Sequence, residues 1–442
     1  MPTAGPTGIG SMTVFANFGL VWRRRAATGI GAVVLGLIAL GLAELADGAQ
    51  DSFEALVAVA PYAPLLMTPA CFGAIAWATL SWAPAARGSG IPQVIVNAHN
   101  PDAPGNAALT SLRTAAIKFV LTLAALLVGG SVGREGPTVQ ISAAIMQATH
   151  RLFRIPLTAA VTIAGGAAGV SAAFNTPLAG VAFAIEELAS AYEQRLAVLV
   201  MAAVMISGLV SLGIAGDYLY FGAMHDVLTL RADLLVCPVA GILGGLCGGL
   251  FSRAVLAVGS SGWGPLVILR RHPVLCALAC GLGVAMIGVM SYGTTWGTGY
   301  AAARSLIEGE SQPLWFGPAK LVATLLTTVS GIPGGIFAPS LAAGAGMGNV
   351  IAWLFPLQPA AAVVTLGMIA YFVGVVRAPL TAVLIVSEMT DSRAMILPLF
   401  ATALIADGVS ALVCRERLYH GLAKTFREKN AEAARDTPLS PG

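Results

Sequence analysis

Apolar residues along this chain come in long blocks rather than at the alternating spacing of a strand or the one-sided stripe of a surface helix. Ala26–Ala43, Leu56–Ala83, Leu196–Ala215, Leu234–Phe251 and Ile396–Val413 are the longest. Each approaches or exceeds the roughly 20 residues that a helix needs to cross hydrocarbon. A helix that is apolar all round belongs in lipid or deep inside a helical bundle. Other blocks are shorter and are broken by Gly and Pro, as happens where backbone lines a buried site instead of facing lipid. Ahead of the first block, Met12, Phe15, Phe18, Val21 and Trp22 fit one face of an interfacial helix. The pattern therefore predicts an all-α polytopic membrane protein.

The most informative interruption is Gly129-Gly-Ser-Val-Gly-Arg-Glu-Gly-Pro137, set between the uncharged stretches Phe119–Val128 and Pro137–Thr149. Ionised groups that deep in apolar sequence are functional by default. Gly133 and Gly136 let backbone approach a ligand, and Pro137 suits the opening of a helix, whose free N–H groups and positive dipole end attract an anion. Glu135 is then an anion inside an anion site, so it must compete with the ligand or take up a proton. A second interruption, Arg87-Gly-Ser-Gly-Ile-Pro92, offers the Ser89 hydroxyl between Gly88 and Gly90; taken alone it fits an ordinary turn as well.

The chain repeats itself at a fixed offset of 320 − 118 = 202 positions: Lys118 with Lys320, Thr122 with Thr324, Gly129 with Gly331, Gly133 with Gly335, Pro137 with Pro339, Gly165 with Gly367, Pro177 with Pro379, Leu178 with Leu380 and Glu186 with Glu388. Lysine, proline and glutamate are rare inside membranes, so their joint recurrence marks two copies of one membrane unit. Repeats with interrupted segments at corresponding places put the substrate site where the halves meet. The second copy, Ser330-Gly-Ile-Pro-Gly-Gly-Ile-Phe-Ala-Pro339, has Phe337 where the first has Glu135, so only one half carries a titratable gate. Glu186 recurs and takes a structural part. Its neighbour Glu187 faces Met389 in the other copy and reads either as a feature of one half or as the start of the polar loop through Glu193 and Arg195.

Composition agrees: 57% of residues are hydrophobic, 10% are charged and mean hydropathy is +0.82. The 52 glycines fit close helix packing. Net charge is +3 and says little, but Arg23, Arg24 and Arg25 precede the first block, and Arg415, Arg417, Lys424, Arg427 and Lys429 follow the last, which predicts cytoplasmic termini. The first block is too long for the apolar region of a signal peptide and is expected to stay as a span. Cys71, Cys237, Cys247, Cys276, Cys280 and Cys414 lack metal-ligand spacing and read as small packing residues. No metal site, cofactor, catalytic residue or nucleic-acid surface is expected. The histidines (His99, His150, His225, His272, His420) lack the His-Glu-x-x-His spacing that an intramembrane metallohydrolase would show.

Three segments in order, Gly88-Ser-Gly-Ile-Pro92, Gly133-Arg-Glu-Gly-Pro137 and Gly335-Ile-Phe-Ala-Pro339, resemble the CLC family of chloride channels and chloride/proton exchangers. The resemblance runs from about Val21 to Tyr419. It implies a homodimer with one pathway per subunit, and a single transmembrane domain (1–419) of two inverted-topology repeats, about 26–216 and about 232–413, built of tilted and re-entrant helices. It implies that Ser89 donates to a central chloride together with the Ile336 and Phe337 N–H groups, and that Glu135 gates and serves as the external proton site. Leu418-Tyr-His420 is similar to the segment whose tyrosine caps that chloride, although Arg417 stands where some relatives have proline; an interfacial anchor is the other reading of Tyr419. Arg134 is expected to hold its loop through carbonyls or an acidic partner, and Lys118 and Lys320 to add positive potential.

Exchangers of the family resemble one another in a carboxylate at the place of Glu187, where many channels are apolar. With Glu135 and Glu187 both present, the resemblance implies a chloride/proton antiporter, with chloride and protons as cargo and Glu187 as internal proton site. An uncoupled chloride channel is the alternative. Fluoride exchangers typically depart from the Gly-Ser-Gly-Ile-Pro pattern that stands intact here. The short polar segment 420–442 leaves no room for the regulatory cytoplasmic domains of many relatives, and the length fits a prokaryotic inner (plasma) membrane protein.

Overall fold

Prolines and glycines cut the apolar blocks into helices of unequal length. The computed structural model describes residues 9–101, 103, 105–188, 194–216, 219–260, 267 and 271–436. In chain order its helices are α1 (Ile9–Val59), α2 (Pro64–Trp82), α3 (Ile91–His99), α4 (Asn106–Leu109), α5 (Leu112–Leu127), α6 (Glu135–Leu152), α7 (Ala159–Phe174), α8 (Pro177–Phe183), α9 (Gln194–Ala215) and α10 (Leu230–Ser260). There follow α11 (Pro273–Met290), α12 (Tyr300–Ile307), α13 (Phe316–Ser330), α14 (Phe337–Leu354), α15 (Ala360–Val376), α16 (Pro379–Thr390), α17 (Ile396–Val413) and α18 (Leu418–Asp436). A π-helical turn, Ala184–Leu188, extends α8. Among the described residues there is no β-strand, and 8 helices are long and apolar enough to cross a membrane.

Three expectations about boundaries change. The interfacial helix and the first span are one helix, α1, whose 51 residues reach about 75 Å at 1.5 Å each, far beyond a ~30 Å hydrocarbon layer; the side chains of Met12, Phe15 and Phe18 lie outside the described residues. The block Leu56–Ala83 is not one span, because α1 stops at Val59 and α2 starts at Pro64. Pro61 has no N–H to carry the helix on, and Pro64 is suited to a first turn. Finally, Pro137 does not open its helix: α6 begins at Glu135, with Pro137 in the first turn, where a missing N–H costs no intrahelical bond.

The repeat is visible in the backbone. α6 and α14 correspond residue for residue, and α5, α7, α8 with its π turn, and α9 have counterparts in α13, α15, α16 and α17. Even unusual conformations recur: Asn175 and Arg377, which end α7 and α15, have φ of 56° and 60°. Contacts across the halves are reciprocal. Glu186 accepts from the N–H groups of Leu380 (3.2 Å) and Thr381 (2.8 Å) at the start of α16, while Glu388 accepts from those of Leu178 (3.4 Å) and Ala179 (3.1 Å) at the start of α8. Such reciprocity is what a two-fold relation between the halves produces. Small residues let the core close: a Cβ added at Gly348 of α14 would lie 2.6 Å from the backbone of Val364 on α15.

Candidate functional site

The two broken segments meet head to head. Gly133 and Gly335 each donate an N–H to the other's carbonyl at 2.7 Å, which presses the N-termini of α6 and α14 together. Only glycine fits there, since a Cβ on Gly335 would sit 2.9 Å from the Gly136 nitrogen and 3.0 Å from the Gly133 oxygen. A third helix start joins them: Gly334 donates to the Gly88 carbonyl at 3.2 Å, drawing in the loop before α3. Buried Lys118 holds that loop by donating to the carbonyls of Ala86 (3.1 Å) and Gly88 (2.8 Å), so it acts first as a clamp. Gly88 and Gly90 have φ of +64° and +108°, conformations that favour glycine, and they turn Ser89 inward. The fourth helix, α18, packs its start on α3 and places Tyr419 beside Ser89.

Ser89 Oγ and Tyr419 Oη face one another, both are buried, and beyond that mutual contact neither has a hydrogen-bond partner among the described residues. Two inward O–H donors beside free helix N–H groups suit an anion. Ile336 and Phe337, at the start of α14, carry N–H groups that have no intrahelical acceptor. The Phe337 ring is wedged by Phe174 (5.9 Å between centroids), Phe372 (5.0 Å), Phe183 (6.1 Å) and Tyr419 (5.9 Å), which orients the first turn of α14 toward the two hydroxyls.

Glu135, the first residue of α6, is fully buried and its carboxylate faces the Ala338 N–H of α14, so it lies between two helix N-termini. Its Oε1 accepts from the Tyr300 hydroxyl at 2.7 Å. Arg134 turns away: it donates to the Ala43 carbonyl, pairs with Asp47 of α1 at 2.7 Å and donates to the Tyr220 hydroxyl at 3.1 Å. Glu187, in the π turn, is buried and stands 3.3 Å from His420 Nδ1. His420 is 38% exposed while Glu187 is 0%, so the imidazole connects the buried carboxylate with the surface. Tyr419 lies within electrostatic reach of both carboxylates.

Residues 70–411 match the family model described as voltage gated chloride channel. The chain belongs to this family. Its fold is similar to that of a slow cyanobacterial Cl⁻/H⁺ antiporter, with a TM-score of 0.80 and 25% identity over 93% of this chain and 99% of that one. A eukaryotic CLC transporter (TM-score 0.76, 20% identity, 92% of this chain and 74% of that one) and a CLC-type fluoride/proton antiporter (0.74, 22%, 88% and 96%) share the fold. Family membership makes the protein a multi-pass membrane transport protein of the CLC type rather than an enzyme.

Within that family architecture the structure brings Ser89, Glu135, Ile336, Phe337 and Tyr419 to one locus and sets Glu187 apart, buried beside the partly exposed His420. It also adds residues that sequence reasoning passed over. Asp47 is the acidic partner expected for Arg134 but not located in advance, because 87 positions of chain separate the two. Tyr220 lies in a loop without motif. Tyr300 follows Gly297-Thr-Gly299, a pattern like Gly88-Ser-Gly90, and that likeness was the available signal. His420 stood next to Tyr419 in a quoted motif, yet nothing in sequence pointed it at Glu187.

Proposed function

We propose that the protein exchanges chloride for protons, with Glu135 as the carboxylate that alternates between the two. The reading rests on one juxtaposition: Glu135 sits between the α6 and α14 N-termini, where an anion belongs, with the buried Ser89 and Tyr419 hydroxyls next along the path. Ionised Glu135 then stands in for chloride. On protonation it loses its charge, chloride displaces it, and the helix starts bind the incoming ion through Ile336 and Phe337 N–H groups. Neutral donors suit chloride because they hold it without trapping it. Gly88, Gly90, Gly133, Gly136 and Gly335 keep backbone close to the ion, and Arg134 fixes the loop. Glu187 holds protons on the cytoplasmic side and trades them with solvent past His420. Water carries the proton over the remaining distance to Glu135.

The same reading takes 1–419 as one transmembrane domain of two inverted repeats with 420–442 as a cytoplasmic tail, both termini cytoplasmic, in a homodimer of the plasma (inner) membrane. Chloride and protons are the cargo and no cofactor takes part. The test is simultaneous recording of chloride and pH outside proteoliposomes loaded with chloride. Chloride efflux by the parent drives proton uptake. Glu135→Ala and Glu187→Gln abolish proton movement while chloride still flows, and His420→Ala slows the coupled flux several-fold without uncoupling it. A parent that moves chloride with no proton movement makes this an uncoupled channel and Glu187 a loop carboxylate; fluoride in place of chloride tests selectivity in the same vesicles.

A further inference from the structure

The hydroxyl that reaches the Glu135 carboxylate comes from the second repeat. Tyr300 opens α12, and the preceding Gly297 and Gly299 have φ of 62° and 81°, close to the conformations of Gly88 and Gly90 before α3. Each loop is held by the repeat-related lysine: Lys320 donates to the carbonyls of Thr295 (3.0 Å) and Gly297 (2.7 Å), as Lys118 does to its own loop. The hydroxyls then diverge. Ser89 faces the path, whereas the corresponding Thr298 donates to Gln50 Oε1 at 3.3 Å, and the second repeat reaches the path through Tyr300 instead.

We propose that Tyr300 is the latch of the gate, a positioning residue whose O–H holds ionised Glu135 in the anion position between the α6 and α14 N-termini and releases it when the carboxylate takes up a proton. This rests on the gating role of Glu135 proposed above. The geometry is that of a fixed donor. The Tyr300 ring stacks on Tyr220 (5.0 Å, 23°) and packs on Phe221 (5.4 Å), and Tyr220 donates to the Ala173 carbonyl at 3.1 Å while accepting from Arg134. The groups facing Glu135 are Arg134 from its own segment, Tyr300 from α12 and Tyr419 from α18, with Tyr220 behind Tyr300 and Asp47 behind Arg134. A hydrogen bond to an ionised acceptor is about twice as strong as one to a neutral acceptor, so protonation itself loosens the latch. While it holds, the donor favours the charged carboxylate and delays its displacement by chloride.

Tyr300→Phe keeps the ring and its stacking and deletes the donor. In proteoliposomes its chloride turnover is expected to rise about tenfold at neutral pH, and its activation by acid to move about one pH unit toward alkaline, since a tenfold factor equals one pKa unit. Calorimetric titration of the solubilised protein with chloride is expected to show about tenfold tighter binding by the same linkage, which provides a readout should the variant reconstitute poorly. In a Glu135→Ala background the substitution should change none of these. A merely structural Tyr300 would lower the rate without moving the pH midpoint. An unchanged rate, pH profile and affinity, or equal acceleration in Glu135→Ala, overturns the latch. Proton coupling that survives Glu135→Ala alone would instead overturn the gate assignment beneath it.

Discussion

At the scale of single residues, the site is made of groups with hydrogen-bonding capacity left over. Ser89 Oγ and Tyr419 Oη are buried hydroxyls that, beyond their mutual contact, have no partners among the described residues, a costly state unless a ligand takes up the donors. A hydrogen bond to a charged group contributes about 1.5–3 kcal/mol, so deleting one of two such donors should weaken chloride by roughly 10- to 100-fold. Tyr419→Phe and Ser89→Ala are each expected to do so in calorimetric titration, with folding intact because neither hydroxyl anchors structure. Unchanged affinity in both would move the anion site elsewhere. Lys118 and Lys320 behave differently: each is buried with its donors spent on loop carbonyls, so they shape the site rather than touch the ion. Sequence identified Glu135 and Ser89 because glycine-flanked polar residues in apolar surroundings are conspicuous, and it missed Tyr300 and His420 because their partners lie 165 and 233 positions away.

At the scale of elements, the halves are tied by carboxylates at helix starts, where anions are stabilised by free N–H groups and the helix dipole. The pair is reciprocal but unequal. Glu186 accepts three bonds at the start of α16, two from N–H groups and one from the Thr381 hydroxyl at 2.8 Å, whereas Glu388 accepts two longer ones at the start of α8. Glu186→Gln is therefore expected to lower stability by about 2 kcal/mol and Glu388→Gln by about 1 kcal/mol, in the range of lost helix caps. Unfolding in graded denaturing detergent measures both, and a larger loss for Glu388→Gln would contradict the ranking. The recurrence of Glu186 marked it as structural in the sequence. Which helix it caps was not legible, because a helix partner 194 positions away leaves no local signal. Helix boundaries were read less well than helix existence: Pro137 pointed to a start two residues late, since proline is equally at home anywhere in a first turn.

At the scale of the whole molecule, every group of the proposed path belongs to one chain, so a protomer is expected to transport by itself. In the homodimer proposed above, the partner is assigned to the outward faces of α9 and α17, where Leu209 is 60% and Leu404 61% exposed. Leu209→Trp with Leu404→Trp should separate protomers in dilute liposomes, as counted by cross-linking, and leave coupled flux per chain within about twofold, because a substitution at such exposed positions removes little internal packing. Loss of transport together with the dimer would mean that the path is completed by the partner. Taken alone, the sequence determined that this is a repeated, all-helical membrane protein with a carboxylate in the broken segment of one half. Apolar block length, the 202-residue recurrence and the broken Gly-rich segments are local or self-referential signals, and no folding is needed to see them. Only the tertiary structure decided which groups face one another: the Gly133–Gly335 junction, the Ser89–Tyr419 pair, the Tyr300–Glu135 hydrogen bond and the Glu187–His420 contact. Each joins residues far apart in the chain through the packing of several helices, and packing specificity of that kind is written in no single stretch of sequence.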